Sequence, residues 1–253
     1  MSNKDSLGDR MKEYENVPKN FLMGRTPVII RLDGKSFHTF TRKFNSSNDS
    51  SLENGPFSEN LHWIMNQTMR ALGCQIQNCK FGYTQSDEIS LLLTDWNKLT
   101  TDQWFGGNVE KIVSVSAAIA TAYFNHYFAE TMNLKYSDIR NLALFDSRVF
   151  NLPKEEVTNM FLWRQQDCTR NSINMLGQYH FSHSDLYGKN VSQVQDLLMN
   201  EKGINWNNLD CWKKRGSCFH TNLPLDENET VDPIINEIPI FSQDRNFIEQ
   251  FVI

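Results

Sequence analysis

Residues 79–94, with the sequence CKFGYTQSDEISLLLT, constrain the fold of this chain more than any other segment. Two runs rich in branched and aromatic side chains are joined around the short polar pair Ser86-Asp87, a pattern that predicts a β-hairpin. The two strands of a hairpin are neighbours and run antiparallel. We therefore expect a sheet that is mainly antiparallel.

Strand and helix signals follow one another on both sides of this hairpin. Residues 26–33 (TPVIIRLD) are typical of a buried strand, and residues 142–153 (LALFDSRVFNLP) predict another strand that Pro153 ends. Apolar residues at helical spacing predict a short N-terminal helix and helices over residues 58–72, 111–130, 154–181 and 190–203, with Gly73 ending the first of these four and Gly177 breaking the third. Helices packed on a mainly antiparallel sheet give an α+β fold.

The chain has 253 residues, enough for one large domain, and its charge is distributed unevenly. Residues 221–253 hold seven carboxylates and one basic residue, so residues 1–220 hold 24 Lys and Arg against 23 Asp and Glu. A nearly neutral body neither supports nor excludes an RNA partner. We expect one integrated domain composed of residues 1–135, residues 136–220 and an acidic tail at residues 221–253 that lies on the surface.

Several function classes are disfavoured by what the sequence lacks. No apolar run approaches the ~20 residues that a bilayer span requires, so we expect no membrane partner. The N-terminus resembles neither a secretory signal nor a transit peptide, which favours a cytoplasmic location and leaves a mitochondrial one open. Five cysteines without a C-x-x-C pair predict free thiols, and they make a zinc site with His180 and His183 unlikely to form.

Acidic side chains follow or precede two of the predicted strands. Asp33 comes directly after VIIRL, and Asp87 with Glu88 lies in the hairpin turn. If the two strands are neighbours, these carboxylates converge at one edge of the sheet. Mg²⁺ prefers hard oxygen ligands, commonly one or two carboxylates supplemented by substrate phosphates. The residues alone leave two interpretations open: ordinary turn residues, or a two-metal site for phosphoryl transfer.

The segment after Asp33 is suited to a phosphate partner. Gly34 has no side chain, so a metal ion or a phosphate can approach the backbone there. Residues 35–38 (KSFH) then form a predicted loop whose N–H groups are available to a triphosphate. The segment is not a P-loop, because that motif requires a glycine where Ile29 stands.

Four longer motifs extend this interpretation through a resemblance. RLDGKSFHTF, FGYTQSDEISLLL, FDSRVFNLP and WRQQDCTRNSINMLGQ occur in the order and spacing of the tRNA-His guanylyltransferase superfamily, over roughly residues 10–218. The resemblance implies a polymerase-palm-like antiparallel sheet packed with helices, followed by a C-terminal helical and irregular extension. It also implies nucleotide addition to the 5′ end of tRNA in the 3′-to-5′ direction, by a homotetramer.

The same resemblance implies the site residues and the substrates. Residues 1–135 would form the palm-like catalytic part, and residues 136–220 would complete it. The implied catalytic residues are Asp33, Asp87 and Glu88, and the implied ligands of two Mg²⁺ ions are Asp33, Gly34 and Asp87. Nucleotide binding is implied for Asp33, Gly34, Lys35, Ser36, Phe37, His38, Ser86, Asp87 and Lys111, with ATP and GTP or other nucleoside triphosphates as substrates. Candidate RNA contacts are Arg164, Arg170 and Asn171.

This sequence departs from the family pattern at two places. Thr169-Arg170-Asn171 replaces the HIN of the guanylyltransferases proper, and this version resembles the guanylyltransferase-like branch, which restores missing 5′ nucleotides of tRNA by Watson–Crick pairing. Gly55 replaces a lysine that related sequences place before PF, and Lys43 and Lys111 are candidates to compensate. Arg170 has a second interpretation, an ion pair with Asp167 on the helix surface.

The leading hypothesis is a template-dependent 3′-to-5′ nucleotidyltransferase that repairs or edits tRNA 5′ ends after ATP-dependent 5′ adenylylation. The alternatives are a tRNA-His guanylyltransferase proper that adds G at position −1, a non-catalytic tRNA-binding relative, and a palm-fold nucleotide cyclase. Three histidines without motif support, His62, His126 and His220, are expected to be structural. Trp163 and Trp212 are expected mainly to pack, with base stacking as the alternative.

Overall fold

The computed structural model describes residues 6–45, 56–135, 142–221 and 233–252, with the backbone alone for residues 42–45. Most of the polar insertion before Pro56, with Gly55, therefore lies outside the described residues, as does the side chain of Lys43. The described helices are α1 (Ser6–Asn16), α2 (Phe37–Asn45), α3 (Glu59–Gln75), α4 (Val109–Thr131), α5 (Lys154–His180), α6 (His183–Leu186), α7 (Val191–Lys202), α8 (Cys211–Arg215) and α9 (Asn246–Glu249). The described strands are β1 (Val28–Gly34), β2 (Cys79–Gln85), β3 (Glu88–Leu93), β4 (Phe145–Asn151), β5 (Ser217–His220) and β6 (Ile234–Ile235).

These strands form one sheet in the order β4-β1-β3-β2-β5-β6, and every neighbouring pair is antiparallel. The hairpin β2-β3 lies where the sequence predicts it, and the predicted α+β class is confirmed. The sheet contains strands from all three sequence segments, because β4 and β5 follow residue 135 and β6 follows residue 221. None of the described helices is long and apolar enough to cross a membrane.

Alternate side chains of the central strands enter two different cores, as the pleat of a strand requires. Ile30 and Leu32 point into a core that α3 and α4 cover, where Phe124 is also fully buried. Ile29 points to the other face and joins Phe161 of α5. Each fully buried aliphatic or aromatic side chain stabilises the fold by about 1.5–3 kcal/mol, so both helical layers are held firmly to the sheet.

A third, smaller core lies beyond the sheet. The C-terminal half of α5 packs against α7 through Ile173, Leu176, Val194 and Leu198. α5 has 27 residues, so its first half covers the sheet and its second half carries this separate cluster. α5 thus joins the sheet to the smaller core that it forms with α7.

Two glycines that the sequence suggests as helix ends lie inside helices. α3 continues through Gly73 to Gln75, and α5 continues through Gly177 to His180. A Cβ at residue 73 would lie 2.2 Å from Cε1 of Phe219, and one at residue 177 would lie 2.6 Å from Cγ1 of Val194. These predictions were wrong because both glycines admit a neighbouring side chain rather than end a helix.

The C-terminal segment is also different from the predicted surface tail. Its apolar side chains Ile238, Phe241, Ile248, Phe251 and Val252 are buried in the core beneath α5. The Gln165 side chain fixes the segment, donating to the Pro239 carbonyl at 2.9 Å and accepting from the Phe241 N–H at 2.8 Å. The prediction failed because these apolar residues follow no helical or strand period. The acidic residues 222–232 lie outside the described part of the chain.

Candidate active site

Asp33 and Asp87 lie at the same edge of the sheet. Asp33 is the penultimate residue of β1 and pairs in register with Glu88, the first residue of β3. The Gly34 N–H donates to the Asp87 carbonyl at 3.0 Å, which ties the end of β1 to the hairpin turn. The structure therefore brings together the two acidic positions that the sequence predicts to converge.

The electrostatics of this edge favour a bound cation. Burial, and after it the nearby charge of Asp33, raise the pKa of Asp87 to about 6. Two carboxylates that are held close together repel each other unless a proton or a cation lies between them. A divalent ion would relieve that repulsion.

Both turns that carry these carboxylates contain a serine in the left-handed region. Ser36 has φ of 56° and Ser86 has φ of 51°. Non-glycine residues rarely adopt this conformation, and when they do they cluster at functional sites. Ser86 also donates its hydroxyl to Oδ1 of Asp87 at 3.1 Å, which orients that carboxylate.

The predicted triphosphate loop is shorter than the sequence suggests. α2 begins at Phe37, so only Lys35 and Ser36 form a turn. The Phe37 ring is 4% exposed and packs in the core against Phe124, with ring centroids 5.0 Å apart. Gly34 is required here, because a Cβ at that position would lie 2.3 Å from the Phe37 ring. Any contact of Phe37 with phosphate is thus limited to its backbone, at a helix N-terminus suited to anions.

Glu88 is held by a buried arginine. Nε of Arg164 donates to Oε1 of Glu88 at 2.6 Å, and Nη2 donates to Oε2 at 2.8 Å. Burial raises the pKa of Glu88, and the Arg164 charge opposes that rise. Arg164 also donates to Oδ2 of Asp167 at 2.8 Å, and its side chain is 8% exposed. Arg164 is a candidate RNA contact, but its guanidinium is directed to the carboxylates of Glu88 and Asp167.

The Asp167 carboxylate contacts the two other candidate RNA-binding residues, Arg170 and Asn171. Arg170 forms an ion pair with Oδ1 of Asp167, which is the second interpretation that the sequence left open for it. The Arg170 side chain is nevertheless 62% exposed. Asn171 donates to Oδ2 of Asp167 at 3.3 Å and lines a cavity. Asp167 thus connects the residues beside Glu88 with the wall of that cavity.

The cavity has a volume of about 370 Å³, within the range of small-molecule sites. It begins at Ser86 and Asp87 and extends between α2 and α3 on one side and α5 and α8 on the other. Its lining is mainly apolar and aromatic, and includes Phe37, His38, Phe40, Phe57, His62, Met65, Cys168, Asn171, Met175, Trp212 and Lys213. A ligand in this space would reach the carboxylate edge.

His62 and Trp212, which the sequence suggested mainly as structural or packing residues, face each other in the cavity lining. Their rings are stacked, with centroids 4.1 Å apart and planes inclined by 13°. His62 lies in α3 and Trp212 in α8, and no local motif joins two positions so distant in the chain. The interpretation of His62 as merely structural did not anticipate its place in the cavity wall.

Two arginines on the neighbouring strands β1 and β4 form a second group of charged side chains. Arg31 on β1 and Arg148 on β4 lie directly opposite each other in register. Nε of Arg31 is buried without a hydrogen-bond partner among the described residues, and its guanidinium lies 5.7 Å from the Trp163 ring. The Trp163 side chain is exposed, so it is not confined to packing. Like charges opposite each other destabilise a sheet unless an anion compensates them, and Oδ1 of Asp146 lies 3.4 Å from Nη2 of Arg148.

Lys111 is not brought to this site. It lies in the first turn of α4, where the Val109 N–H donates to the Asn20 carbonyl and Ile112 packs near Val28 at the start of β1. The far end of a seven-residue strand is about 20 Å away. Within this chain, Lys111 and Asp33 therefore lie at opposite ends of the sheet.

The donor set at the carboxylate edge fits Mg²⁺. Within the described ranges, no group of three or more His, Cys, Asp or Glu side chains is arranged to hold a metal ion. Mg²⁺ does not need such a group, because one or two carboxylates plus substrate phosphates complete its octahedral shell. Asp33, Asp87 and the Gly34 carbonyl supply hard oxygens, while Glu88 is engaged by Arg164.

A comparison with known families identifies the chain. The sequence model of the family described as tRNAHis guanylyltransferase (Thg1) matches residues 8–153, more than half of the sequence. The chain belongs to the tRNAHis guanylyltransferase family. The matched segment of this Thg1 family member contains Asp33, Gly34, Asp87 and Glu88, so the carboxylate edge lies within the part that defines the family.

Solved structures and curated relatives agree with this membership. A bacterial tRNA(His) guanylyltransferase (Thg1)-like protein in complex with ATP is 45% identical, with a TM-score of 0.85 over 98% of this chain and 99% of that chain. A bacterial Thg1-like protein in complex with GTP is 41% identical, with a TM-score of 0.78 over the same shares. The tRNA(His) guanylyltransferase of Debaryomyces hansenii is 27% identical over 220 residues, covering 82% of this chain and 77% of the relative. This chain is thus a member of a nucleotidyltransferase family.

Proposed function

We propose that this protein is a Mg²⁺-dependent, template-dependent 3′-to-5′ nucleotidyltransferase that adds nucleotides to the 5′ end of tRNA. The observation that carries the proposal is the carboxylate pair Asp33 and Asp87, with a separate substrate region on each side of it. One region is the cavity. The other is the part of the sheet that carries Arg31 and Arg148, which we call the arginine face. Transfer between two phosphate-bearing substrates requires such an arrangement.

The cavity is proposed to hold the activating nucleotide, ATP. Its aromatic walls suit a purine, and it reaches Asp87 and the hairpin turn. Lys35, Ser36 and the first N–H groups of α2 are adjacent in sequence to Asp33 and would hold the triphosphate. Bacterial relatives solved with ATP and with GTP support a nucleoside triphosphate as a substrate.

The arginine face is proposed to hold phosphates of the second substrate. Arg31 and Arg148 present two adjacent cations near Asp33, where β1 ends and β4 begins, and Arg148 is paired with Asp146 at 3.4 Å. Guanidinium groups bind phosphate oxygens in a bidentate manner, and exposed Trp163 is available to stack on a base. The 5′ end of an RNA or the triphosphate of an incoming nucleotide would satisfy both features.

The proposed reaction has two transfers. The 5′-monophosphate of the tRNA attacks the α-phosphate of ATP and releases pyrophosphate, which leaves an adenylylated 5′ end. The 3′-hydroxyl of the next nucleoside triphosphate then attacks that end and releases AMP. When bound, Mg²⁺ supplies charge neutralisation at the transferred phosphate and acidifies the attacking hydroxyl.

The residues of this chain orient and separate the reactants. Asp33 and Asp87 would hold the cation that positions the transferred phosphate at the sheet edge, and Ser86 orients the Asp87 carboxylate. Arg164 keeps Glu88 ionised and fixed beside them. Because Arg164 is buried, we propose that it acts through Glu88 and that RNA contact falls to Arg170 and Asn171.

Repair of truncated tRNA is proposed over addition of G at position −1. Thr169, Arg170 and Asn171 stand where the guanylyltransferases proper carry HIN, and this departure favours the guanylyltransferase-like branch. The test is incubation with 5′-monophosphorylated tRNA that lacks its first nucleotide, with ATP, Mg²⁺ and each labelled nucleoside triphosphate in turn. Incorporation should follow the base opposite the gap.

Three other results would replace the proposal. Preference for full-length tRNA-His, with G added regardless of the opposing base, would establish guanylyltransferase activity instead. Unchanged activity in Asp33→Ala, together with weaker tRNA binding, would identify a tRNA-binding relative whose activity comes from a contaminant. A cyclic product from nucleotide alone would identify a cyclase.

A homotetramer is part of the same proposal. Apolar side chains near the start of the sheet are largely exposed in the single chain, among them Phe21 (63%), Met23 (70%) and Leu99 (91%). Contiguous exposed apolar surface is typical of protein interfaces. Sedimentation equilibrium of the purified protein should give four times the chain mass of 29.5 kDa.

A further inference from the structure

His62 is anchored on one side of its ring. Its Nε2 lies 3.2 Å from Oδ1 of Asn236, 3.1 Å from Nδ2 of Asn66 and 3.4 Å from Oγ of Ser217. Oδ1 of Asn236 is the acceptor at the centre of this group, because Ser217 donates to it at 2.8 Å and Asn66 at 3.2 Å. The tautomer that fits this group has its proton on Nε2 and donates it to Asn236, because the Asn66 amide and the Ser217 hydroxyl both direct a hydrogen to that same oxygen.

The opposite edge of the ring has a lone pair. An imidazole that is protonated on Nε2 and neutral is a hydrogen-bond acceptor at Nδ1. Among the described residues, none donates a hydrogen bond to Nδ1 of His62. Nδ1 of His220 is fully buried without a partner, whereas Nδ1 of His62 is not one of these fully buried atoms. His62 lines the cavity, and the stacked Trp212 ring fixes the plane of its imidazole.

We propose that Nδ1 of His62 accepts a hydrogen bond from the exocyclic amino group of an adenine base bound in the cavity. This inference rests on the proposed function, because it names a base contact for the activating nucleotide. It assigns to His62 a binding role that neither the sequence motifs nor the family membership provides.

The surroundings of His62 keep it a neutral acceptor. Burial lowers the pKa of His62 to about 4, and the nearby charge of Lys213 also lowers it. Lys213 is itself paired with Oδ2 of Asp210 at 2.7 Å. An imidazole lone pair repels phosphate oxygens but attracts N–H groups, so this wall suits the base of a nucleotide rather than its triphosphate.

The aromatic walls support the same assignment. Trp212 stacks on His62 and meets the Phe57 ring edge-on, with centroids 6.3 Å apart. Flat apolar walls with few polar groups are typical of sites that bind the ring of a ligand and orient it with single hydrogen bonds. An adenine ring placed between these walls would present its edge to His62.

The test compares two nucleotides in the absence of tRNA, so that binding is measured without turnover. Isothermal titration gives Kd for ATP and for purine riboside triphosphate, in which a hydrogen replaces the 6-amino group. The wild-type protein should bind ATP about five- to tenfold more tightly, as one net hydrogen bond allows. His62→Phe should bind both nucleotides equally, and His62→Asn, which retains an acceptor, should keep part of the preference.

His126→Phe is the matched control, because His126 is an exposed histidine on α4 outside the cavity lining. It should bind both nucleotides as the wild type does. Thermal melting of each variant separates a loss of fold from a loss of preference, and His62→Asn provides the comparison if His62→Phe unfolds.

The outcomes separate this inference from the proposed function. Equal binding of both nucleotides by the wild type overturns the inference, even while ATP still supports adenylylation of tRNA. A preference for ATP that persists in His62→Phe also overturns it, because another group must then contact the amino group. Absence of both ATP binding and tRNA adenylylation in the wild type overturns the proposed function itself.

Discussion

The carboxylate edge and the cavity wall meet at Asp87, but they are built in different ways. The edge comes from two short motifs, at residues 33–38 and 85–88, that strand pairing brings together. The wall combines residues from α2, α3, α5 and α8, and Asn236 of the C-terminal segment anchors it. Local sequence thus determines the proposed chemistry, whereas tertiary packing determines the proposed ligand contacts.

This difference has a physical cause. The register of two antiparallel strands determines which residues at their ends lie opposite each other. Asp33 and Glu88 are therefore opposed as soon as β1 and β3 pair. The stack of His62 on Trp212 depends instead on how α3 and α8 pack, which no local pattern specifies. Substitutions in the two regions should therefore have different consequences.

The largest effect is expected at the carboxylate edge. Asp87→Asn should reduce the rate of tRNA adenylylation by about 10³-fold, equivalent to about 4 kcal/mol, because a neutral amide no longer attracts the cation. Single-turnover kinetics at saturating ATP measures this rate. Asp196→Asn, on an exposed face of α7, is the control and should keep the wild-type rate. Loss of ATP binding with no change in rate would limit Asp87 to a role in nucleotide binding.

The next effect is expected at Arg164, which binds Glu88 beside the carboxylate edge and is linked through Asp167 to Asn171 of the cavity wall. Arg164→Ala should lower the free energy of unfolding by about 3–5 kcal/mol, because it leaves the Glu88 carboxylate buried without its cation. Denaturant titration measures the loss. Arg164→Met combined with Glu88→Gln should recover most of the stability but not the activity. Equal losses in the single and double variants would show that the buried charge is not the cause.

A smaller effect is expected from pH at the cavity wall. The pKa of His62 is lowered to about 4 in the folded protein, so the folded state binds fewer protons than the unfolded state between pH 4 and pH 6.5. Its contribution to stability is complete above pH 6.5 and is lost as pH falls towards 4, by up to about 3 kcal/mol. Denaturant titrations across this range should show a shallower dependence in His62→Asn. Parallel curves for the two proteins would refute the assignment.

The smallest effect is expected on the arginine face. Arg148→Ala should raise KM for the incoming nucleoside triphosphate about tenfold, because one charge-assisted contact to phosphate is lost. The Kd for ATP in the absence of tRNA should stay unchanged, since Arg148 does not line the cavity. Steady-state kinetics with a preadenylylated tRNA isolates the second transfer. A change in Kd for ATP alone would place the activating nucleotide on this face.

Sequence reasoning predicted the elements that have a regular period and the site residues that have a local motif. The hairpin, β1, the long helices and the carboxylate pair are of this kind. It placed helix ends wrongly at Gly73, where the decisive contact comes from Phe219, distant in the chain. It also misplaced the C-terminal segment, whose buried residues have no period, and it grouped Lys111 with the nucleotide-binding residues although α4 begins at the opposite end of the sheet.

The separate origin of the wall has a consequence for how such proteins diversify. Asn236 and Trp212 lie outside residues 8–153, the segment that defines the family. If the wall selects the base as proposed, a lineage could alter the base that its members accept by replacing a few packing residues, while the carboxylate edge stays untouched. On that proposal, changes of substrate preference would not need to pass through inactive intermediates.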